Sequence, residues 1–159
     1  MVERRSSQYG EAKAYSEESR PALKLRLFLD ANILFTAAYS PEGLSALLFE
    51  LCQRRVLELL TSQQALEEAR LNLRLKRPEA SNRLEKFLKL LEVVEPPSNC
   101  PVALDLPDDD LAVFGAALGG RSTHLITGDK KHFGRYFDRP DQTAGIRIQT
   151  ARRFFDDRF

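Results

Sequence analysis

Carboxylate side chains recur at the edges of four apolar segments in this chain. Asp30 ends LFLD, Glu67 and Glu68 lie within QALEEARL, three aspartates open DDDLAVFGAAL, and Asp129 follows HLITG. Burying a carboxylate costs free energy unless it is paired or bound to a cation. Hard divalent ions such as Mg²⁺ and Mn²⁺ prefer oxygen ligands and activate water for phosphodiester hydrolysis. The four acidic clusters therefore predict a metal site with hydrolytic chemistry.

Each cluster also has an ordinary structural interpretation. Residues 108–110 are typical of a helix N-terminus, Glu67 and Glu68 of a solvated helix face, and Asp129 of a turn after glycine. Asp30 fits such an interpretation less well, because it directly follows the apolar residues Leu27–Leu29 without a turn signal. The presence of all four acidic clusters in one chain favours a metal site. Because no nucleophilic side chain accompanies these carboxylates, they favour metal-assisted phosphodiester hydrolysis over acyl transfer.

The apolar segments predict alternating strands and helices that would position these acids. Strands are predicted at 25–29, 56–60, 91–94, 124–127 and 146–149, and helices at 32–39, 43–51, 61–77, 79–91, 107–118 and 151–155. This alternation predicts an α/β fold, a three-layer α/β/α sandwich around a mostly parallel central sheet. Ligands of such sheets bind at the carboxyl ends of strands, where Asp30 and Asp129 are expected to lie.

The length and composition of the chain indicate a single domain with nearly equal numbers of basic and acidic residues. The 159 residues suit one domain, which we expect at 23–159, after a polar, Ser-containing tail at 1–22. With 24 basic and 23 acidic residues the net charge is +1, so any nucleic-acid contact must come from a local basic patch. The two cysteines are expected to be free thiols. No apolar segment predicts a membrane span or a secretory leader, so we expect a cytoplasmic protein with no membrane partner.

Four motifs in this chain resemble those of PIN-domain ribonucleases. In order they are LFLDANILF, TSQQALEEARLNL, PDDDLAVFGAAL and LITGDKKHFG, within residues 24–155. The resemblance implies a PIN-like fold of the PilT N-terminus type, dependence on Mg²⁺ or Mn²⁺, and cleavage of single-stranded or structured RNA. Many small bacterial members are toxins of VapBC-like toxin–antitoxin pairs. An antitoxin protein and a second copy of the chain, in a homodimer, are therefore the expected protein partners.

The resemblance also assigns roles to individual residues. The metal-binding and catalytic acids that it implies are Asp30, Glu68, Asp110 and Asp129. The supporting residues that it implies are Asn32, Thr127 and Asp109. Glu68 is preferred to Glu67 because an apolar residue follows it in the family's pattern. The third acid stays open among Asp108, Asp109 and Asp110, since this loop is more acidic than the usual motif.

Basic residues next to the acids are candidates for contact with substrate phosphates. Lys130 and Lys131 directly follow Asp129 and are predicted to contact the RNA backbone, although a solvated surface is the ordinary interpretation. A wider basic rim is predicted from Arg70, Arg74, Lys76, Arg77 and Arg121. His132 is a candidate general base, but metal-activated water needs no histidine. The segment Lys-Lys-His-Phe is also typical of a helix start.

Competing families fit the sequence less well. A haloacid-dehalogenase-like phosphatase needs a second aspartate where this chain has Asn32. A response-regulator receiver needs an acidic pair after its first strand, and a Rossmann dinucleotide site needs a Gly-rich turn there. The remaining alternative is a catalytically weak PIN-like module that binds RNA or a protein partner. The intact set of acids argues against it.

Overall fold

A computed structural model describes residues 24–97 and 99–159. The strands are β1 (Arg26–Leu29), β2 (Glu58–Ser62), β3 (Leu91–Val94), β4 (His124–Ile126) and β5 (Arg147–Gln149). The helices are α1 (Ala31–Tyr39), α2 (Leu44–Gln53), α3 (Gln63–Lys76), α4 (Ser81–Phe87), α5 (Asp108–Gly119), α6 (Lys130–Phe133) and α7 (Ala151–Arg158). The tail predicted at 1–22 lies outside the described residues.

All five strands form one parallel sheet in the order β3-β2-β1-β4-β5. In its register Phe28 of β1 lies between Leu60 of β2 and Leu125 of β4. The chain proceeds from β1 outward to β3, and then returns to add β4 and β5 on the other side of β1. The direction of winding therefore reverses between β1 and β4. In open parallel sheets a ligand crevice forms at the carboxyl ends of the two strands at such a reversal.

Side chains on the strands alternate between two apolar cores, one on each face of the sheet. Leu27 and Leu29 pack with helices α1 to α4 and α7, whereas Phe28 packs with α5 and α6. The helix layers on both faces confirm the predicted three-layer α/β/α sandwich. Within the described ranges, no helix is both long and apolar enough to cross a lipid bilayer.

Several predicted element boundaries were wrong, and for two of them the structure shows a local reason. The second strand starts later than predicted, because the backbone N–H of Val56 bonds to Leu51 O at 2.9 Å and closes the turn after α2. The predicted helix at 79–91 is divided into a 3-10 turn (Pro78–Ala80), α4, and a second 3-10 turn (Leu88–Leu90). This second turn ends at Leu91, whose extended backbone pairs with β2.

Candidate metal centre

Asp30 lies at the reversal point of the sheet, directly after β1. Its Oδ1 accepts the backbone N–H of Ala31 at 2.8 Å, which makes Asp30 the N-cap of α1. Its Oδ2 accepts hydrogen bonds from Thr127 Oγ1 at 2.8 Å and from Asn32 Nδ2 at 3.3 Å. The residue is 7% exposed. Burial raises the pKa of its carboxyl group above the ordinary value, and the nearby charge of Asp129 acts in the same direction, against the hydrogen bonds.

Asn32 and Thr127 connect the ends of β1 and β4. The side-chain oxygen of Asn32 accepts the backbone N–H of Gly128 at 2.7 Å. The hydroxyl of Thr127 accepts the backbone N–H of Asp129 at 3.1 Å while it donates to Asp30. Since Thr127 is fully buried, this hydroxyl is part of the closed interface between the two loops. Both residues therefore position the acids that follow the two strands.

Asp110 and Asp129 form a compact cluster with His132. The nearest ligand atoms of the three side chains all lie within 4.8 Å of one another. Nδ1 of His132 is 2.8 Å from Asp129 Oδ2 and 3.2 Å from Asp110 Oδ2. Asp129 also caps α6, because its Oδ1 accepts the backbone N–H of His132 at 3.0 Å. The first turns of α5 and α6 thus bring two carboxylates to one point.

The electrostatic environments of these two acids differ. Burial raises the pKa of Asp110, and the charge of Asp129 adds to the rise while His132 opposes it. Burial also acts to raise the pKa of Asp129, but hydrogen bonds from the backbone and imidazole of His132 outweigh it and leave the pKa below the ordinary value. Asp129 is therefore the acid of this pair that ionises more readily.

Glu68 lies on α3, near enough to three other acids for their charges to act on its carboxyl group. Although the residue is largely exposed, partial burial of its carboxyl group raises the pKa, and the charges of Asp30, Asp109 and Asp110 raise it further. Glu67 instead accepts a hydrogen bond from Gln63 on the same helix at 3.1 Å. The structure thus brings Glu68 into the electrostatic field of the cluster.

The three consecutive aspartates all occupy the first turn of α5, but they differ in position. Asp110 is partly buried beside His132, whereas Asp108 and Asp109 are exposed. The charge of Asp109 still raises the pKa of Glu68 and Asp110, so it lies near the cluster. Because Asp110 contacts His132 and is the most buried of the three aspartates, it is the one best placed to act as a metal ligand.

The donor set fits a hard divalent cation. The group whose ligand atoms lie within 4.8 Å of one another consists of Asp110, Asp129 and His132, and it does not include Asp30 or Glu68. The pKa of Asp30, Glu68 and Asp110 is raised in each case by burial and by like charge, so all three acids lie in one electrostatic environment. A bound cation relieves this repulsion and favours the ionised carboxylates. The cluster is therefore a candidate metal centre, with His132 as an additional nitrogen donor at its margin.

Comparison with known families assigns the chain. A family model described as PIN domain matches residues 26–131, which is more than half of the sequence. This chain belongs to the PIN domain family. The matched range contains all four acids that the resemblance in the sequence had singled out. No curated protein matches this PIN domain.

Two solved structures are similar to this PIN domain in fold. The crystal structure of VapBC2 from Rickettsia felis, bound to a DNA fragment from their promoter, has a TM-score of 0.58 and 18% identity, covering 79% of this chain and 98% of that chain. The 2.2 Å structure of VapBC-1 from nontypeable Haemophilus influenzae has a TM-score of 0.50 and 16% identity, covering 80% and 99%. At these identities the likeness concerns the fold.

The predicted basic rim of the PIN domain divides into separate parts. Lys130 and Lys131 are exposed next to Asp129. Arg70 instead forms a bidentate salt bridge with Glu85, and both N–O distances are 3.0 Å. Arg121 comes before β4, whereas Asp129 comes after it, so the two residues lie toward opposite ends of this strand. Of these four cations, the lysine pair is the part that adjoins the acids.

His132 belongs to the cluster more closely than the sequence indicated. Lys130–Phe133 is a helix, as its residues suggested, but the same turn directs the imidazole onto Asp110 and Asp129. The available signal was its spacing of three residues from Asp129, which places both side chains on one helix face. Its contact with Asp110 depends on α5 and could not be read from this spacing.

Proposed function

We propose that this PIN domain is a divalent-metal-dependent ribonuclease that hydrolyses phosphodiester bonds of single-stranded or structured RNA. The observation that carries the proposal is the cluster of Asp110, Asp129 and His132, whose ligand atoms lie within 4.8 Å of one another near the reversal point of a parallel sheet. Burial raises the pKa of Asp30 and Glu68, and the charges of acids in this cluster raise it further, which couples both residues to the cluster. Three of these acids have a raised pKa, which is typical of a functional carboxylate site.

The metal is proposed to be Mg²⁺ or Mn²⁺, held by the four acids. When bound, such an ion activates water and stabilises negative charge on the phosphate. Asn32 and Thr127 hold Asp30 and the loop of Asp129 in place through hydrogen bonds of 2.7 to 3.4 Å. Asp109, exposed at the rim, is proposed to assist through water. His132 holds Asp110 and Asp129 in a fixed relation.

Lys130 and Lys131 are proposed to bind the RNA backbone. Both are exposed and directly follow Asp129, so an ammonium group there lies beside the place where a phosphate meets the acids. A phosphate contact of this kind contributes affinity without base specificity. Replacing both lysines with alanine should weaken binding of RNA of any sequence, and unchanged RNA binding would count against this role.

We further propose partners and a setting for the protein. The solved structures similar in fold are named VapBC complexes, and family resemblance supports an antitoxin protein as a partner that inhibits an active nuclease. A homodimer and a cytoplasmic location are proposed on the same ground. An adjacent gene for a small DNA-binding protein, and its co-purification with this chain, would test the partner. Light scattering would test the dimer.

RNA cleavage is the direct test of the function. Purified protein should degrade a labelled single-stranded RNA in Mn²⁺ or Mg²⁺, and EDTA should stop the reaction. Asp30→Asn and Asp110→Asn should each slow cleavage on the order of a hundredfold, while circular dichroism shows an unchanged fold. Cleavage that neither substitution slows would contradict the mechanism. RNA binding without cleavage under any divalent ion would instead support the catalytically weak binding module.

A further inference from the structure

A cavity lies at the carboxyl ends of the strands, the same edge of the sheet as Asp30 and Asp129. It has a volume of about 450 Å³ and lies around the ends of β5 and the start of α7. Its lining includes Lys130, Phe137, Gln149 and Arg152. Lys130 directly follows Asp129, so a residue of the cavity wall is the immediate chain neighbour of a proposed metal ligand. We refer to it as the β5–α7 cavity.

The β5–α7 cavity is positively charged. Among its described lining residues, Lys130, Arg152 and Arg153 are cations and Asp138 is an anion. Asp138 is already neutralised, because its carboxylate lies 3.2 Å from Arg153 and 3.5 Å from Arg147. Within residues 24–97 and 99–159, Lys130 and Arg152 form no salt bridge and are exposed. Two cations are therefore available to an anion entering the cavity.

The start of α7 adds a further attraction for anions. Thr150 caps this eight-residue helix through Arg153 N at 3.1 Å and also lines the cavity. Backbone N–H groups at a helix N-terminus and the helix dipole both favour a negative charge. Arg152 lies in this first turn, so its guanidinium and the helix terminus act on the same region.

The cavity also offers groups for the rest of a nucleotide. Phe137 is half-buried in the lining, and an aromatic ring of this kind can stack on a base. Gln149 is 1% exposed, and its amide nitrogen donates to Asp138 and to Asp157, both at 2.7 Å. Its amide oxygen has no hydrogen-bond partner among the described residues. A buried acceptor in this state is stabilised when a donor is supplied.

We infer that the β5–α7 cavity binds a nucleotide of the RNA strand next to the cleaved bond. Its phosphate would contact Lys130, Arg152 and the start of α7, with the base against Phe137. The inference rests on the proposed ribonuclease function, because it extends the path of the same RNA strand away from the acids. It adds Arg152 and Phe137 to the substrate-binding surface.

Gly134 allows the cavity to be blocked without disturbing the fold. This glycine lines the cavity in a helical conformation, with φ −54° and ψ −37°. A Cβ added there would meet no atom within 4 Å, so a side chain can extend into open space. Gly134→Glu would introduce a carboxylate into the path of the phosphate, and Gly134→Gln is the matched neutral control of the same size.

Binding of a fluorescein-labelled oligouridylate tests the inference. The probe should be roughly twelve nucleotides long, within the range that single-strand binding sites cover. Fluorescence anisotropy in EDTA at low ionic strength measures Kd while metal-dependent cleavage is stopped. Gly134→Glu should weaken binding about tenfold, and Gly134→Gln by much less, because repulsion of the phosphate is the larger effect. Gln142→Glu, an exposed residue outside the cavity lining, controls for the change in net charge.

Arg152→Gln gives an independent measurement if Gly134→Glu fails to fold. Loss of one phosphate contact should reduce the slope of log K against log salt by about 0.7 for a single strand. An unchanged slope, equal binding by Gly134→Glu and Gly134→Gln, or equal weakening by Gln142→Glu would each overturn the inference.

Cleavage by the same variants separates this inference from the proposed function. If the wild type cleaves RNA in Mn²⁺ while Gly134→Glu binds and cleaves as well as Gly134→Gln, the cavity has no role and the ribonuclease function stands. If Gly134→Glu loses RNA binding but no form of the protein cleaves RNA, the ribonuclease function fails and the cavity remains a nucleic-acid site.

Discussion

Thr127 Oγ1 donates a 2.8 Å hydrogen bond to Asp30 Oδ2 across the junction of β1 and β4. Both residues are buried, and the same hydroxyl accepts the N–H of Asp129. One side chain therefore holds the two acids that follow the central strands. Thr127→Val should remove these bonds with little change in shape.

We expect Thr127→Val to lower the free energy of unfolding by about 1–3 kcal/mol, because buried polar groups lose their partners. Affinity for Mn²⁺ should fall roughly 10- to 100-fold, the usual cost of losing a group that orients a ligand. Urea denaturation in EDTA and a Mn²⁺ titration followed by thermal shift would measure the two effects. Thr127→Ser, which keeps the hydroxyl, is the control; equal losses in both variants would point to packing instead.

Glu68 and Glu67 provide a matched pair on one helix. Since burial and three neighbouring acids raise the pKa of Glu68, its ionised form at neutral pH destabilises the metal-free protein. Glu68→Gln should therefore stabilise the protein in EDTA, by less than about 1 kcal/mol at this exposed position, and should weaken Mn²⁺-dependent RNA cleavage. The gain in stability should shrink as the pH falls and Glu68 becomes protonated.

Glu67→Gln should leave both the melting temperature in EDTA and the rate of cleavage close to those of the wild type. Thermal melts from pH 7 to pH 4.5 and a cleavage assay compare the two variants directly. Equal behaviour of the pair would show that Glu68 does not belong to the metal centre.

Asp110 and Asp108 test which aspartate of α5 participates in the reaction. Asp110 contacts His132 at 3.2 Å and is partly buried, whereas Asp108 is exposed. Asp110→Asn should lower kcat on the order of a hundredfold, as expected when a group that stabilises transition-state charge is lost. Asp108→Asn should change kcat by less than about threefold, since an exposed charge in the first turn acts mainly on the helix dipole. The opposite order would place the ligand at Asp108.

Titration of His124, which lies away from the proposed metal centre, should make the stability of the fold decrease at acidic pH. Burial, followed by the charges of Arg158 and Arg147, lowers its pKa from 6.5 to about 4. Between these values the unfolded chain binds more protons than the folded chain, so stability falls as the pH decreases from about 6.5 to 4. After allowance for solvent screening the loss amounts to about 2 kcal/mol.

His124→Gln removes this titration, so the difference in unfolding free energy between wild type and variant should change with pH within that window. Urea denaturation at pH 7, 5.5 and 4.5 measures it. A difference that stays constant over the three pH values would contradict the prediction. Because His124 begins β4, at the end of that strand opposite Asp129, the cleavage mechanism is not tested by this variant.

Much of the fold was predictable from local patterns. Short runs rich in apolar residues, at 25–29 and 124–127, predicted the two central strands of the sheet. Boundaries were less predictable where backbone bonds outside a strand or helix decided them. The predicted second strand began at Val56, but the backbone N–H of this residue closes a turn after α2.

The sequence by itself determined that carboxylates follow two central strands and begin one helix, because residue type and apolar periodicity are local properties. Their order also carried the resemblance to PIN domains. The tertiary structure decided which acids meet: strand order placed Asp30 beside the loop of Asp129, and the rotation of α5 brought Asp110, rather than Asp108, onto His132. The tertiary structure also brought Lys130 and Arg152 together in the lining of the β5–α7 cavity. Contacts between residues that are distant in the chain depend on packing, which no local sequence pattern encodes.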